Sequence, residues 1–218
     1  MKHLRIVASI ISLSILLALT ACGDGGGGGG GTPAAGGGAA VACPANPPTR
    51  FTDMGDRTVC DSQTGLMWEK KTGTPGAVVV CGALCPDPHD VNNTYTWSAA
   101  TPFTEPTGTL YSDFLERLND LKTPNDGTAT LCFAGHCDWR VPTIGELRSI
   151  LEAPRPNCTA FPCIAPGFPG PTQASSYWSS SSLASDPVLA WFVVFDIGDV
   201  VNASKSFGQY ARAVRGGR

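Results

Sequence analysis

Nine cysteines dominate the chemistry that this 218-residue chain offers. Six form close pairs, Cys81/Cys85, Cys132/Cys137 and Cys158/Cys163, while Cys43 and Cys60 stand further apart. Two chemistries suit sulfur at such spacings. Thiolates a few residues apart hold zinc, and His89 and His136 lie close to the pairs. Disulfides suit an oxidising compartment and a loop-rich chain with 18 prolines. With Cys22 set apart for the reason given below, eight remain, an even number. Their many conceivable pairings are not fixed by spacing. Pairing between near neighbours, with Cys43 taking Cys60, is the economical expectation, and it leaves no metal site. His136, within Phe133-Ala134-Gly135-His136-Cys137, reads as a loop histidine.

A second set of residues suits recognition. Tyr177 and Trp178 precede a serine run from Ser179 to Ser182, so aromatic faces stand beside small hydroxyls. That combination stacks on a sugar ring and hydrogen-bonds around it, which makes Tyr177, Trp178, Ser179 and Ser180 ligand-contact candidates. A strand edge has the same composition. Lys205, Arg212, Arg215 and Arg218 gather positive charge near the C-terminus of a chain whose net charge is −3. Lys205 and Arg212 are therefore candidates for contact with a sulfated or acidic glycan, against the plainer reading of a solvated strand face. Trp68, Trp139, Trp191 and Phe195 sit in patterns where burial is the ordinary explanation. Asp138 and Arg140 flank Trp139 and read as an ion pair that holds the start of the next helix. Catalysis has little support: Gly-x-Ser-x-Gly, His-Glu-x-x-His and phosphate-cradling loops are missing. Three histidines in all, one of them His3, leave few general bases. No cofactor is expected, and the acidic balance excludes a nucleic-acid partner.

Where these residues work is set by the first forty positions. Lys2, His3 and Arg5 precede an apolar run from Ile6 to Leu19, shorter than the roughly 20 residues of a membrane span and suited to a signal peptide. The run ends in Leu19-Thr20-Ala21-Cys22, which resembles a bacterial lipobox. That resemblance implies removal of residues 1–21, acylation of Cys22 and anchoring in a membrane. A plain secretory signal with a free Cys22 is the alternative. Gly23 stands where an aspartate would favour retention at the inner membrane, so the outer membrane is the expected location. Residues 22–42 are the lipidated cysteine and a Gly/Ala-rich tether, with a random-coil reach of about 25 Å. Residues 43–218 suffice for one well-buried domain.

Elements must hold the candidates in place. Arg50–Asp53 reads as a first strand, and Thr58–Cys60 with Leu66–Glu69 as a hairpin turned by Asp61 to Gly65. Residues 72–94 read as a loop stapled by a cysteine pair, and Tyr95–Ala100 as the start of a short helix. Asp113 with Glu116 suggests an Asp-led capping box before Phe114, Leu115, Leu118 and Leu121. Thr143-Ile144-Gly145-Glu146 is a full capping box before Leu147, Ile150 and Leu151, ended by Pro154 and Pro156. Residues 152–174 form a Pro-rich loop. Strands follow at Tyr177–Ser180, at Val188–Phe195, which is apolar on both faces, at Val200–Val201, and at Ala211–Arg215. The fold class is α+β.

Four segments in this order resemble the Lcl C-terminal domain family, a bacterial surface domain. They are Asp56-Arg57-Thr58-Val59-Cys60-Asp61 with Thr64-Gly65-Leu66-Met67-Trp68; Asp138-Trp139-Arg140-Val141-Pro142-Thr143 with Glu146-Leu147; Tyr177-Trp178-Ser179-Ser180-Ser181; and Ala213-Val214-Arg215-Gly216-Gly217. The resemblance runs from about residue 50 onward. It implies a C-type-lectin-like fold, with two helices, antiparallel sheets, one sheet joining both ends of the domain, and long disulfide-pinned loops. The best-known member is the head of a collagen-like adhesin that binds sulfated glycans. This chain has a Gly-rich tether in place of collagen repeats, and Arg57 stands where members often have glycine. The calcium motifs of sugar-binding C-type lectins are missing, with Glu105-Pro106-Thr107 and Leu118-Asn119-Asp120 only near misses. Formylglycine-generating enzymes share a related fold but need reactive cysteines, assigned here to bridges.

The expectation is an exported, lipid-anchored envelope protein whose lectin-like head binds an extracellular ligand such as a sulfated polysaccharide, in the manner of an adhesin. A structural or assembly lipoprotein docking another envelope protein is the first alternative, and an exported hydrolase the second.

Overall fold

The structure, a computed structural model, describes residues 43–45, 47–82, 85–120, 132–152 and 158–216. The segments expected to be a signal peptide and a tether, the expected lipidation site Cys22, and Leu121, Pro154, Pro156, Gly217 and Arg218 lie outside the described residues.

Two sheets organise the domain. The first contains β1 (Phe51–Asp53), β2 (Thr58–Asp61), β3 (Leu66–Glu69) and β10 (Val214–Gly216), in the order β1-β2-β3-β10, all antiparallel. The earliest and latest strands thus share one sheet, as the resemblance implies. The second contains β4 (Val79–Val80), β5 (Asn93–Thr96), β6 (Ser176–Leu183), β7 (Asp186–Val194), β8 (Asp199–Ser204) and β9 (Gly208–Tyr210), in the order β4-β5-β9-β6-β7-β8. Period-two alternation in β6 and β7 sends neighbouring residues to opposite faces. Trp178, Ala190 and Phe192 enter one apolar cluster, and Tyr177, Val193 and Phe195 the other. Val188–Phe195 is apolar on both faces for this reason.

Helical segments cover each cluster. A π-helical turn, Leu110–Leu115, runs into α1, Glu116–Leu118, and sends Leu110, Phe114 and Leu118 into the first cluster. It packs close to β5, since a Cβ on Gly108 would overlap the Thr96 carbonyl. The α2 helix, Ile144–Ser149, starts at the expected capping box. The Thr143 hydroxyl accepts from the Glu146 amide at 3.3 Å, while Glu146 Oε2 accepts from the Thr143 amide at 2.8 Å. Leu147, Ile150 and Leu151 enter the second cluster.

All four expected disulfides are present: Cys43–Cys60, Cys81–Cys85, Cys132–Cys137 and Cys158–Cys163. Three local expectations are corrected. Tyr95 and Thr96 end strand β5, paired with β9, and no helix begins there. Asp113 is not a cap: it lies inside the π-helical turn behind Thr109, and its carboxylate accepts from the Cys85 amide at 3.3 Å. The 72–94 loop also contains β4. Arg57 adopts φ 69°, the left-handed conformation that suits the glycine common in the family.

Candidate functional site

Five of the six ligand-contact candidates are buried. Tyr177 stacks with Phe195 and Tyr210 in the core, its ring centroid 5.1 Å from the first and 5.5 Å from the second. Trp178 is 0% exposed and donates its indole N–H to the Tyr95 carbonyl at 2.9 Å. The Ser179 hydroxyl donates to the Trp191 carbonyl at 2.6 Å. Ser180, half-buried, donates through both its amide and its hydroxyl to the Pro142 carbonyl. The serines are used up on backbone carbonyls beside an irregularity in the β6–β7 register, so they tie strands and do not face a ligand.

The two basic candidates are buried as well. The Lys205 ammonium lies 3.8 Å from the Trp97 ring centroid and donates to the Thr104 carbonyl at 3.2 Å. Burial pulls it below the ordinary lysine range, with Glu105 opposing. Arg212 is 1% exposed and donates to the carbonyls of Glu69 at 2.9 Å and Pro171 at 3.1 Å. Arg215 holds Asp138 at 2.7 Å. Among the described residues, the expected cationic patch therefore resolves into two buried side chains and one surface ion pair. Asp138 and Arg140 do not pair with each other: Arg140 clasps Glu146 through two bonds of 2.7 and 2.6 Å, fixing the start of α2.

A buried polar centre escaped the sequence reading. Glu69, at the end of β3, receives the Lys71 ammonium and His89 Nδ1 on Oε1, each at 2.9 Å, and the Ala213 amide on Oε2 at 3.2 Å. Burial alone would raise its carboxyl, but the Lys71 charge and the His89 hydrogen bond hold it at about 2. Burial pulls the Lys71 ammonium down, against the attraction of Glu69. His89 Nε2 has no protein partner, and the ring lies 4.3 Å from the Phe133 ring centroid. Glu69, Lys71 and His89 are each at most 3% exposed, so a substrate cannot reach this carboxylate–histidine pair without opening the core. It ties β3, the 85–91 loop and the segment before β10 together. In the sequence, Glu69 ends an expected strand and Lys70-Lys71 follow; that Glu69 and Lys71 are buried on either side of half-buried Lys70 is visible only in the structure.

Among the described residues, Cys81, Cys85 and Asp113 bring potential metal-ligand atoms within 4.8 Å of one another, but the two sulfurs are bonded to each other. Burial raises the Asp113 carboxyl, opposed by the Cys85 amide and Arg117.

What the domain turns outward is different. Trp68, Trp97, Trp139 and Trp178 are all buried, whereas Trp191, expected to be buried, is half-exposed. It is paired directly across β7 and β8 with exposed Asn202, and the next pair is Leu189 with Ser204. Directly opposed residues share a sheet face. That face is dry at Val193 and opens toward solvent at Trp191, past the cover of α2, which packs on β6 and β7. Among the described residues, neither the Trp191 indole N–H nor the Asn202 carboxamide has a protein partner. An aromatic plane with an N–H donor stands beside an amide that both donates and accepts.

The Lcl C-terminal domain model matches residues 57–215, most of the chain. The chain belongs to the Lcl C-terminal domain family. Lcl C-terminal domains are surface-associated, which agrees with a domain closed by four disulfides. No curated protein and no solved structure matches the chain. Among the described residues no helix is long and apolar enough to cross a membrane.

Proposed function

We propose that this protein is a non-catalytic recognition domain of C-type-lectin-like fold, exported and held at the outer membrane through acylated Cys22, and that it binds an extracellular glycan. The observation that carries the reading is Trp191. A large apolar plane kept partly in water forgoes part of the roughly 1.5–3 kcal/mol that full burial of such a side chain supplies, and its location beside an unpartnered amide is the pairing that sugar rings need. The sheet beneath it pairs β7 with β8 at every residue from Leu189 to Val194, so the site is already formed, which cuts the ordering cost of binding. The sheet shared by β1 and β10 supports the lectin-like reading, and the Gly-rich segment supports a tethered head.

A glycan array with the oxidised protein tests this directly. Wild type is expected to give discrete glycan signals, and Trp191→Ala to lose at least about tenfold in affinity while keeping its near-ultraviolet circular dichroism. Trp178→Ala unfolds the domain instead. Specific capture of one envelope protein with no glycan signal replaces this reading with the docking alternative. Intact-mass measurement of the mature protein tests the anchor, which requires a diacyl adduct on Cys22.

A further inference from the structure

We propose that the glycan bound at Trp191 is uncharged, an inference that rests on the glycan reading above and narrows it. The strands that build the face are the ground for it. From Ser176 to Ser204, through β6, β7 and β8, the chain contains Asp186, Asp196 and Asp199 and not one lysine, arginine or histidine. Asp186 and Asp199 are exposed, and each accepts only a nearby backbone amide, Val188 at 3.2 Å and Val200 at 2.7 Å. Sulfate or carboxylate groups brought to this face meet no cation from these strands.

Among the described residues, cations elsewhere in the domain do not supply the missing charge. Lys205 and Arg212 are internal, and Arg215 is held by Asp138. Arg50 holds Asp61, Lys70 holds Asp53, and Arg140 holds Glu146. Arg117 lies 3.7 Å from Asp113 and donates to the Cys85 and Pro86 carbonyls. Lys71 is buried against Glu69, and Arg57 and Arg148 are also engaged. A cationic ligand fits no better. At about 3.3 Å per residue, Asp199 is about 10 Å along β8 from Asn202, and Asp186 is further along β7 from Trp191, at or beyond the screening length at physiological salt. The groups in immediate reach are Trp191, Asn202, Leu189 and Ser204, all neutral. They match a pyranose: C–H bonds on the indole face, hydroxyls on the amide and on the indole N–H.

The test pairs dextran, mannan and galactan with their sulfated derivatives on the oxidised, full-length mature protein, at low and at high sodium chloride. At least one uncharged polymer is expected to bind, with affinity changing less than about twofold between the salts, because no counterions are released. Trp191→Ala is expected to abolish that binding, and Asn202→Ala to weaken it several-fold. Asn202→Ala is a surface change on an edge strand, and its unchanged melting temperature separates loss of contact from loss of fold. Binding to the sulfated polymers alone, weakening steeply with salt, overturns the uncharged class and leaves the glycan reading standing. No binding to either set, nor to an array of other glycans, overturns both. Uncharged binding that survives Trp191→Ala overturns the site.

Discussion

Glu69 shows how one carboxylate sets the pH response of the domain. Its folded pKa of about 2 lies below the ordinary glutamate value of 4.5. The stabilisation it supplies is fully present above about pH 4.5 and is lost as pH falls toward 2. Buried Asp61 and the more exposed Asp53, Asp138 and Glu146 are shifted the same way by their cationic partners and add to the acid sensitivity. Glu69→Gln isolates the buried contribution. At pH 7 it leaves Lys71 buried with its counter-charge gone, at an expected cost of about 3–5 kcal/mol. Urea unfolding of wild type and variant at pH 7, 5 and 3 is expected to show the difference shrinking toward pH 3. A difference independent of pH contradicts the assignment. At this scale the sequence was least informative. Trp178 lies among serines and Trp191 in an apolar run, yet the first plugs a cluster while the second stands at its margin, which only strand pairing shows.

Elements were legible where their determinants are local. The α2 cap needs only Thr143 and Glu146, three residues apart, so it could be read directly and its geometry is as expected. Thr143→Ala is expected to cost about 1 kcal/mol, measured by chemical denaturation, and to leave the sheet pairing unchanged. Asp113 offers the same local pattern, yet its carboxylate is claimed by the amide of Cys85, 28 positions away. Strand β5 was misread for the same kind of reason. Its antiparallel partner β9 pairs Thr94 with Tyr210, a contact no window around Tyr95 contains.

The whole molecule is held by contacts of both ranges. Cys43–Cys60 closes the longest disulfide loop, with a separation of 17, against 4 or 5 for the others. Loop-closure entropy predicts that replacing both Cys43 and Cys60 with alanine costs about 3 kcal/mol, against about 2 for the Cys81 and Cys85 pair. Urea midpoints at matched slope measure the order. Fold class and cysteine pairing were readable because composition and short spacings carry them. The assembly of the first sheet was implied only by resemblance, since β10 meets β3 across nearly the whole domain, with Val214 opposite Trp68.

The disulfides join each described cysteine to the next one along the chain: first with second, third with fourth, fifth with sixth, seventh with eighth. A polypeptide oxidised progressively from its leading end would therefore make every native bond simply by coupling each thiol to its immediate predecessor. With Cys22 taken up by the proposed acyl anchor, such consecutive coupling reaches the native set without reshuffling of mispaired species.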